Sequence, residues 1–310
     1  MKTNILFLSS LALIIGLSAS CDKVENAYPD NNTELDLSLF PGGDWDDYLE
    51  NHYPSFNDNP SQVRNVLLEE YTGHQCNACP NAAIIAKDIA SNYPDRVHLA
   101  AIHSGPGGMT GFQQFDPNDS QLYTDHTNPE GLEYGQRFQN GFNFFGNPQG
   151  NVSRKTFNGN MFLFTGTWAT NVSSTLSDNE LNVRLQSVFN YYESTGGGFL
   201  HVWAEKINNI NAPINLVCYV MRDSIVDWQV MLDNSYNPDY VHTNTHMGSI
   251  DNRPWGLPLF DAAASIGTVD IKDYSYKIPD NLDADNMHFL IYAYNRDTYE
   301  IYQVIRQNIQ

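Results

Sequence analysis

The stretch LLEEYTGHQCNACPNAAIIAKDIA, residues 67–90, places Cys76 and Cys79 where an apolar run gives way to a helical pattern. The apolar run is typical of a buried strand, and Pro80 suits the first turn of a helix. The segment VHLAAIHSG, residues 97–105, has the composition of a second buried strand. A strand, a helix and a strand joined by short connections predict a βαβ unit.

A Cys-x-x-Cys pair at the start of a helix is suited to redox chemistry. Free backbone N–H groups and the helix dipole stabilise a thiolate at this position and lower its pKa. We therefore predict that Cys76 is the attacking thiolate and that Cys79, one turn further on, is the resolving thiol. His74, two residues before the pair, could add positive charge and is a candidate substrate contact; the alternative is an ordinary exposed histidine of the loop.

The segment NPEGLEYGQRFQNGF, residues 128–142, predicts a second helix, and Pro148, in the segment GNPQGNV at residues 146–152, follows it just ahead of a short strand pattern. Thioredoxin-like folds carry a cis-proline at this place, which packs against the disulfide beside the edge that binds an extended substrate. The order of the motifs resembles that arrangement and implies that Pro148 belongs to the catalytic site, with Asn147 as a substrate contact. The alternative is a plain turn proline, because Asn-Pro commonly starts a turn.

Two other uses of the cysteine pair are open. A zinc site needs two further ligands, but Cys218 lies in the other predicted domain, and His98 and His103 straddle a strand at odd spacing. Alternatively, the disulfide only staples a loop to a helix. A ring closed by cysteines three apart contributes little chain entropy, which favours redox chemistry over a staple. We predict neither a metal nor a cofactor.

The N-terminus has the pattern of an export signal. Lys2 precedes the apolar segment 5–17, and small residues at 18–20 lead into Cys21. The apolar segment is shorter than the roughly 18 residues that span a bilayer. A cysteine directly after a small-residue cleavage site resembles a bacterial lipobox, which implies lipidation of Cys21; the alternative is an ordinary signal peptide. A protein exported in this way is lipid-anchored in the cell envelope, where the cysteine pair can be oxidised.

The acidic composition restricts the partners. The chain of 310 residues has a formal net charge of −20, with the acids scattered along it. Such a surface repels phosphate backbones and disfavours nucleic acid as a partner. It fits a solvated protein of the cell envelope.

The chain divides into regions of different composition. The region before the first strand is polar and rich in Asp, Asn and Pro, which is typical of a tether with a short structured end at DWDDYLENHY. The segment SDNELNVRLQSVFNYYES, residues 177–194, predicts a helix. Five β-rich segments follow and indicate an antiparallel sandwich. The predicted regions are a signal peptide at 1–20, a tether at 21–60, an α/β thioredoxin-like domain at 61–195 with an inserted loop at 105–128, and an all-β immunoglobulin-like sandwich domain at 196–310.

Three segments carry a family resemblance: VLLEEYTGHQCNACPNA, NPQGNVSR and RDSIVDWQV with NSYNPDYVHTNTHMGSIDNRPWG after it. They resemble the twenty-eight-kilodalton outer-membrane lipoproteins of Bacteroidota over roughly residues 60–310. The family pattern Tyr-x-His-Asn is matched by Tyr240 and His242, with Thr243 in place of the asparagine. The resemblance implies an outer-membrane lipoprotein that exchanges disulfides with protein or peptide thiols. The alternative is a surface binding or adhesion module built on a redox-inert thioredoxin scaffold.

Overall fold

The computed structural model describes residues 35–57 and 60–310, which belong to one compact, mixed α/β unit that is mostly β. The predicted signal peptide and Cys21 lie outside the described residues. The helices are α1 (Trp45–Asp47), α2 (Cys79–Ser91), α3 (Pro129–Phe138) and α4 (Trp168–Asp178). The strands are β1 (Val66–Thr72), β2 (Val97–His103), β3 (Gln149–Val152), β4 (Val183–Tyr192), β5 (Gly197–Lys206), β6 (Ile214–Arg222), β7 (Ile225–Val230), β8 (Tyr236–His242), β9 (Thr245–Ser249), β10 (Leu257–Phe260), β11 (Val269–Lys277), β12 (Met287–Asn295) and β13 (Ile301–Asn308).

The predicted βαβ unit is present. Strands β1 and β2 are parallel from Val66↔Val97 to Thr72↔His103, and α2 connects them. The helix buries small side chains against the sheet, whereas Ile84 remains exposed. Strand β3 lies antiparallel to β1 on its other side. The ends of β1 and β2 and the start of β3 therefore meet at one edge of the sheet.

One large sheet contains strands from both halves of the chain. Its order is β13–β12–β6–β9–β2–β1–β3, with β10 paired to β6. Strand β9 joins the halves, because it pairs with β2 on one side and with β6 on the other. One sheet therefore contains hydrogen-bonded strands from before and after residue 196.

A second sheet, in the order β11–β5–β4, packs on the large one. Their shared core includes Val183 and Leu185 from β4 and Phe289 from β12. The helix predicted at residues 177–194 is wrong, because β4 occupies most of it and pairs with β5 over ten residues. Alternate side chains of β4 face the core. The pairing of this strand with β5 outweighs the helical spacing of Leu181 and Leu185.

Part of the segment expected as a tether packs against the second sheet. Residues 44–53 contain α1 and one further helical turn, and Tyr48 in that turn is fully buried. Its hydroxyl lies 2.5 Å from Nε2 of His201 on β5, and its ring packs edge-on against Phe199. The aromatic residues of DWDDYLENHY therefore attach this segment to the fold.

Candidate functional site

The cysteine pair lies at the edge where the parallel strands end. Strand β1 ends at Thr72, a turn carries Cys76, and α2 begins at Cys79 with Pro80 in its first turn. Cys76 therefore precedes the helix by three residues. The two sulfur atoms form a disulfide with an S–S distance of 2.09 Å and a Cα–Cα distance of 5.4 Å. Cys218, the remaining cysteine of the described residues, is a buried free thiol on β6.

A β-hairpin from the C-terminal half covers this disulfide. Cys76 and Cys79 are only 1% and 2% exposed. Strands β7 and β8 come after β6 and before β9 along the chain. They form a two-stranded ribbon that reaches over the cysteine turn. Gln229 Nε2 donates to the carbonyl oxygen of Cys76 at 3.1 Å, and the Val230 amide donates to that of His74 at 2.8 Å. The disulfide is therefore closed to a protein substrate in this arrangement.

The Gln229→Ala variant is expected to be reduced about fivefold faster by a phosphine reductant than the wild type. A lost hydrogen bond is worth about 1 kcal/mol, which is roughly a fivefold larger population of the open hairpin. Thiol release under pseudo-first-order conditions measures the rate. The control is Gln186→Ala, because Gln186 lies on β4 in the second sheet, away from the hairpin, and hydrogen-bonds the main chain of Asn57. Equal rates for the Gln229 variant and the wild type would show that the hairpin does not limit access.

The inserted loop covers the other side of the cysteine turn. The backbone N–H of Gln75 donates to the carbonyl oxygen of Phe112 at 3.1 Å. Gln113 is fully buried, and its Nε2 donates to the carbonyl oxygen of Thr72 at 2.6 Å. A Cβ atom at Gly73 would lie 2.3 Å from the carbonyl oxygen of Phe112, so this close approach requires glycine. The loop is thus a packed part of the site.

The Asn147–Pro148 peptide bond is cis. Pro148 stands directly before β3, next to the end of β1, because Gln149 pairs with Tyr71. The Asn147 side chain donates to the carbonyl oxygen of Ser104 at 2.8 Å and accepts from Gln113 at 3.2 Å. Both the nitrogen and the oxygen of the Asn147 side chain, which is a predicted substrate contact, therefore already have hydrogen-bond partners in the fold.

A buried carboxyl group lines the pocket that Cys79 also lines. Glu70 on β1 is 5% exposed, its Oε1 atom has no hydrogen-bond partner, and it lines the same pocket as Cys79. Burial raises the pKa of Glu70 to about 8, although the charge of Lys87 opposes the shift. An acid that is protonated at neutral pH and lines the same pocket as the second cysteine is a candidate to exchange a proton with its thiol.

Buried histidines surround the cysteine turn. They come from the turn itself, the end of β2, the inserted loop and the end of β8, and they are His74, His103, His126 and His242. The neighbouring ring centres are 4.8 Å apart for His126 and His242, 5.1 Å for His103 and His126, and 5.5 Å for His74 and His126. His126 Nε2 also lies 3.1 Å from the carboxylate of Asp227 on the hairpin.

Burial keeps these imidazoles neutral. It lowers the pKa of His74 to about 4 and that of His242 to about 3, and it lowers the pKa of His103 well below the usual value. The nearby His126 adds to the shift in each of the three. The predicted role of His74 as an added positive charge at neutral pH is therefore not supported by its surroundings.

The sequence singled out the cysteines and Pro148 but missed several residues around them. Glu70 was visible as an acid within an apolar run, which is a signal that could have been used. The hairpin residues Gln229 and His242 lie about 150 positions from the cysteines. No local pattern in the sequence indicates that these segments meet.

The fold and the site define a mixed α/β protein with a covered Cys-x-x-Cys disulfide at the carboxyl edge of its parallel strands. Among solved structures, HBP35 of Porphyromonas gingivalis matches with a TM-score of 0.59 over 81% of this chain and 77% of that chain, at 17% identity. This similarity shows a shared fold. The chain matches no protein-family model, and no curated protein matches it significantly.

Two other solved structures give weaker matches. A protein of Agrobacterium tumefaciens matches with a TM-score of 0.45 over 82% of this chain and 97% of that chain, at 14% identity. A domain of the outer membrane lipoprotein Omp28 from Porphyromonas gingivalis matches with a TM-score of 0.29 over 42% of this chain and 89% of that domain, at 16% identity. These two similarities carry no structural argument. Within the described residues, no helix has the length and apolarity needed to cross a membrane.

Proposed function

We propose that this chain is a thiol–disulfide exchange protein of the cell envelope whose redox centre, Cys76–Cys79, is closed by the β7–β8 hairpin when no substrate is bound. The substrates are protein or peptide thiols and disulfides. The observation that carries the proposal is Glu70, a buried acid with an unpartnered oxygen that lines the same pocket as Cys79. A disulfide that only staples a loop gains nothing from such a group, which costs stability when ionised.

The proposed exchange follows from the positions of these groups. In the reduced protein the Cys76 thiolate attacks one sulfur of a substrate disulfide, and the other substrate sulfur leaves as a thiolate. Glu70 accepts the proton of the Cys79 thiol in the minor population in which it is ionised, since its pKa of about 8 leaves some carboxylate at neutral pH. The Cys79 thiolate then attacks the Cys76 sulfur, so the Cys76–Cys79 disulfide forms and the second substrate sulfur also leaves as a thiolate. One proton from Glu70 and one from water complete the substrate dithiol. Two electrons pass from the cysteine pair to the substrate.

The reduction potential and a trapping variant test this proposal. Equilibration with a dithiothreitol or glutathione series should give a potential above about −270 mV, as in exchange catalysts. The Cys79→Ser variant should accumulate a mixed disulfide through Cys76 with a scrambled protein, while Cys76→Ser should not. A potential below about −300 mV together with no trapped adduct would make the disulfide structural.

The second candidate is a binding module with an inert disulfide. Burial of both cysteines favours it, and so does the outer face of the hairpin. Val226 and Val241 pair across the two strands and are 61% and 45% exposed, with Tyr236 exposed nearby. Exposed apolar side chains on a protruding ribbon suit recognition of a protein surface. Retained partner binding by a Cys76→Ser/Cys79→Ser variant would support this candidate.

We further propose that the two halves of the unit correspond to a thioredoxin-like domain at 61–195 and an immunoglobulin-like sandwich at 196–310. We also propose outer-membrane location through lipid on Cys21 and membership of the Bacteroidota lipoprotein family described above. The sequence pattern before Cys21 and the three quoted motifs support these proposals, and the fold shared with a Porphyromonas gingivalis protein is consistent with them. Mass spectrometry of the N-terminal peptide tests the lipidation, since a Cys21→Ala variant would lack the acyl mass. The same variant would no longer be recovered in the membrane fraction.

A further inference from the structure

A second cavity lies between the inserted loop and the large sheet. Its wall combines the end of the loop with side chains at and after the end of β6 and at the start of β9: residues 124–128, Arg222, Ile225, Thr245, His246 and Met247. The volume of this cavity is about 120 Å³. By the same measure a single buried water needs about 10–15 Å³, so the cavity can hold a small organic group.

Arg222 brings an unpaired positive charge to this cavity. The side chain is half-buried, and its guanidinium makes no hydrogen bond or ion pair with any of residues 35–57 and 60–310. The chain has 36 acidic and 16 basic residues, so carboxylates are plentiful and an unpaired arginine is unexpected. Arginine is favoured where a carboxylate is bound through two parallel N–H···O hydrogen bonds.

The acids around Arg222 are engaged elsewhere. Asp223 accepts a backbone N–H of the turn before β9 at 2.6 Å, and Asp227 lies 3.1 Å from the ring of His126. Asp125 is exposed and lines the cavity, but its Oδ1 accepts two hydrogen bonds from its own loop at 2.8 and 2.7 Å. The fold therefore leaves the guanidinium available to an external anion.

Two buried side chains of the wall add unpartnered hydrogen-bond donors. The Asn128 Oδ1 atom accepts the backbone N–H of Gly131, so its Nδ2 is the atom that donates to His246 Nδ1 at 3.3 Å. The ring proton of His246 is therefore on Nε2, which is buried and has no partner, and burial lowers the pKa of this ring to about 3 and keeps it neutral. Thr245 is 1% exposed, and its hydroxyl is also without a partner. A ligand that accepts from these groups would remove the cost of leaving them unpaired.

We propose that this cavity binds a carboxylate group, with the Arg222 guanidinium as the charged donor and the Thr245 hydroxyl and the His246 Nε2–H as neutral donors. All three groups can donate, so the ligand has to supply acceptor atoms and negative charge. A carboxylate carries one charge on two oxygens. It fits better than a phosphate dianion, because Asp125 also lines the cavity and repels a second negative charge.

The rest of the wall and its position restrict the ligand further. Ile225 and Met247 provide apolar surface, which suits an aliphatic acid or the C-terminal carboxylate of a peptide. Thr245 lines both this cavity and the pocket of Cys79, so at this point one residue separates the two spaces. The site contains no cysteine, and carboxylate binding is therefore independent of whether the disulfide exchanges with a substrate.

Methyl NMR of the oxidised protein titrated with sodium butyrate tests the site, because the Ile225 and Met247 side chains line the cavity and report binding there. We expect their methyl signals to shift with a dissociation constant of roughly 1 mM. Butyramide, a neutral amide of the same shape, should bind at least about tenfold more weakly. Arg222→Gln should weaken butyrate binding at least about tenfold. The matched control is Arg306→Gln, since Arg306 already donates to Asn308, and it should bind butyrate like the wild type.

Acetyl-alanyl-leucine and its C-terminal amide identify the source of the carboxylate. Tighter binding of this peptide acid than of butyrate would assign the site to a peptide end, and weaker binding would assign it to a small acid. Either result supports a carboxylate site, provided that the peptide amide binds more weakly than the peptide acid. The Cys76→Ser/Cys79→Ser variant should bind both acids like the wild type, which separates this test from that of the redox proposal.

A second variant covers the case in which Arg222→Gln does not fold. Thr245→Val keeps the shape of the side chain but removes the hydroxyl, and it should weaken butyrate binding about fivefold. Unchanged affinity in the folded Arg222→Gln and Thr245→Val variants would overturn the proposal. Equal affinity for butyrate and butyramide, or no saturable shift with either acid, would overturn it as well.

Discussion

Replacing Arg154 by methionine is expected to lower the free energy of unfolding by about 3–5 kcal/mol. Arg154 and Glu69 are both fully buried, and the guanidinium donates to the carboxylate at 2.8 and 2.7 Å. It also donates to the hydroxyl of Tyr219 on β6 at 2.7 Å, so the ion pair links β1 to the C-terminal half. The variant would leave the Glu69 carboxylate buried and unpaired, which is far more costly than the lost contacts alone. Urea denaturation at pH 7 measures the change.

A double variant separates the buried charge from lost packing. In Arg154→Met/Glu69→Gln the carboxylate is gone, so we expect at least about half of the loss to be recovered, as is typical when both members of a buried pair are replaced. The exposed pair of Lys155 and Asp178 is the control, because Lys155→Met should change stability by less than about 1 kcal/mol. A loss below about 1 kcal/mol in Arg154→Met would contradict the claim that the Arg154–Glu69 ion pair stabilises the contact between the two halves of the chain.

The Glu70→Gln variant is expected to be more stable than the wild type at pH 9, by about 4–5 kcal/mol, and within about 1 kcal/mol of it at pH 5. Burial raises the pKa of Glu70 to about 8 from an ordinary value of 4.5. Between these two values the folded state binds the proton and the unfolded state does not, so stability falls as the pH rises. Glutamine cannot ionise, and the variant escapes this fall. Denaturation midpoints from pH 5 to pH 9 measure the difference.

The neighbouring Glu69 provides a control of opposite sign. Burial alone would raise its pKa, but Arg154 and the hydrogen bonds from Asn151 and Tyr219 bring it below the usual value. Its ion pair therefore contributes stability above pH 4.5 and loses it as the pH falls through the folded pKa. Glu69→Gln should be less stable than the wild type at pH 9. If Glu70→Gln were also destabilised there, Glu70 would be ionised and partnered in the folded protein.

The pH series also bears on the redox proposal. If Glu70 accepts the proton of the Cys79 thiol, Glu70→Gln should slow the resolution of a mixed disulfide on Cys76. The change in stability tests the burial of Glu70 by itself, whereas the rate of resolution tests its contact with the redox centre. A stabilised variant with an unchanged rate of resolution would therefore confirm that Glu70 is buried and show that it does not transfer the proton of Cys79.

The sequence by itself determined the local elements on which the site is built. The apolar run before Cys76, the proline after Cys79 and the order of strand, helix and strand were sufficient to predict β1, α2 and β2, because hydrophobic periodicity and helix-start signals act over a few residues. The position of Pro148 before β3 was predicted for the same reason. At residues 177–194 the apolar side chains fit both the spacing of a helix and the alternation of a strand. Pairing with β5 decided the conformation there, and a single sequence does not show that pairing.

Only the tertiary structure decided how the site is enclosed. β9 inserts between β2 and β6 and so brings the β7–β8 hairpin over the disulfide. The same pairing brings His242 and Asp227 to His74 and His126, and it buries Glu70 in the pocket that Cys79 also lines. The contacts of the hairpin join residues separated by about 100 to 160 positions, and the free energy of strand pairing and burial, which depends on the whole sheet, selects them. The sequence therefore determined which chemical groups are present, whereas the fold decided that they meet in one closed site.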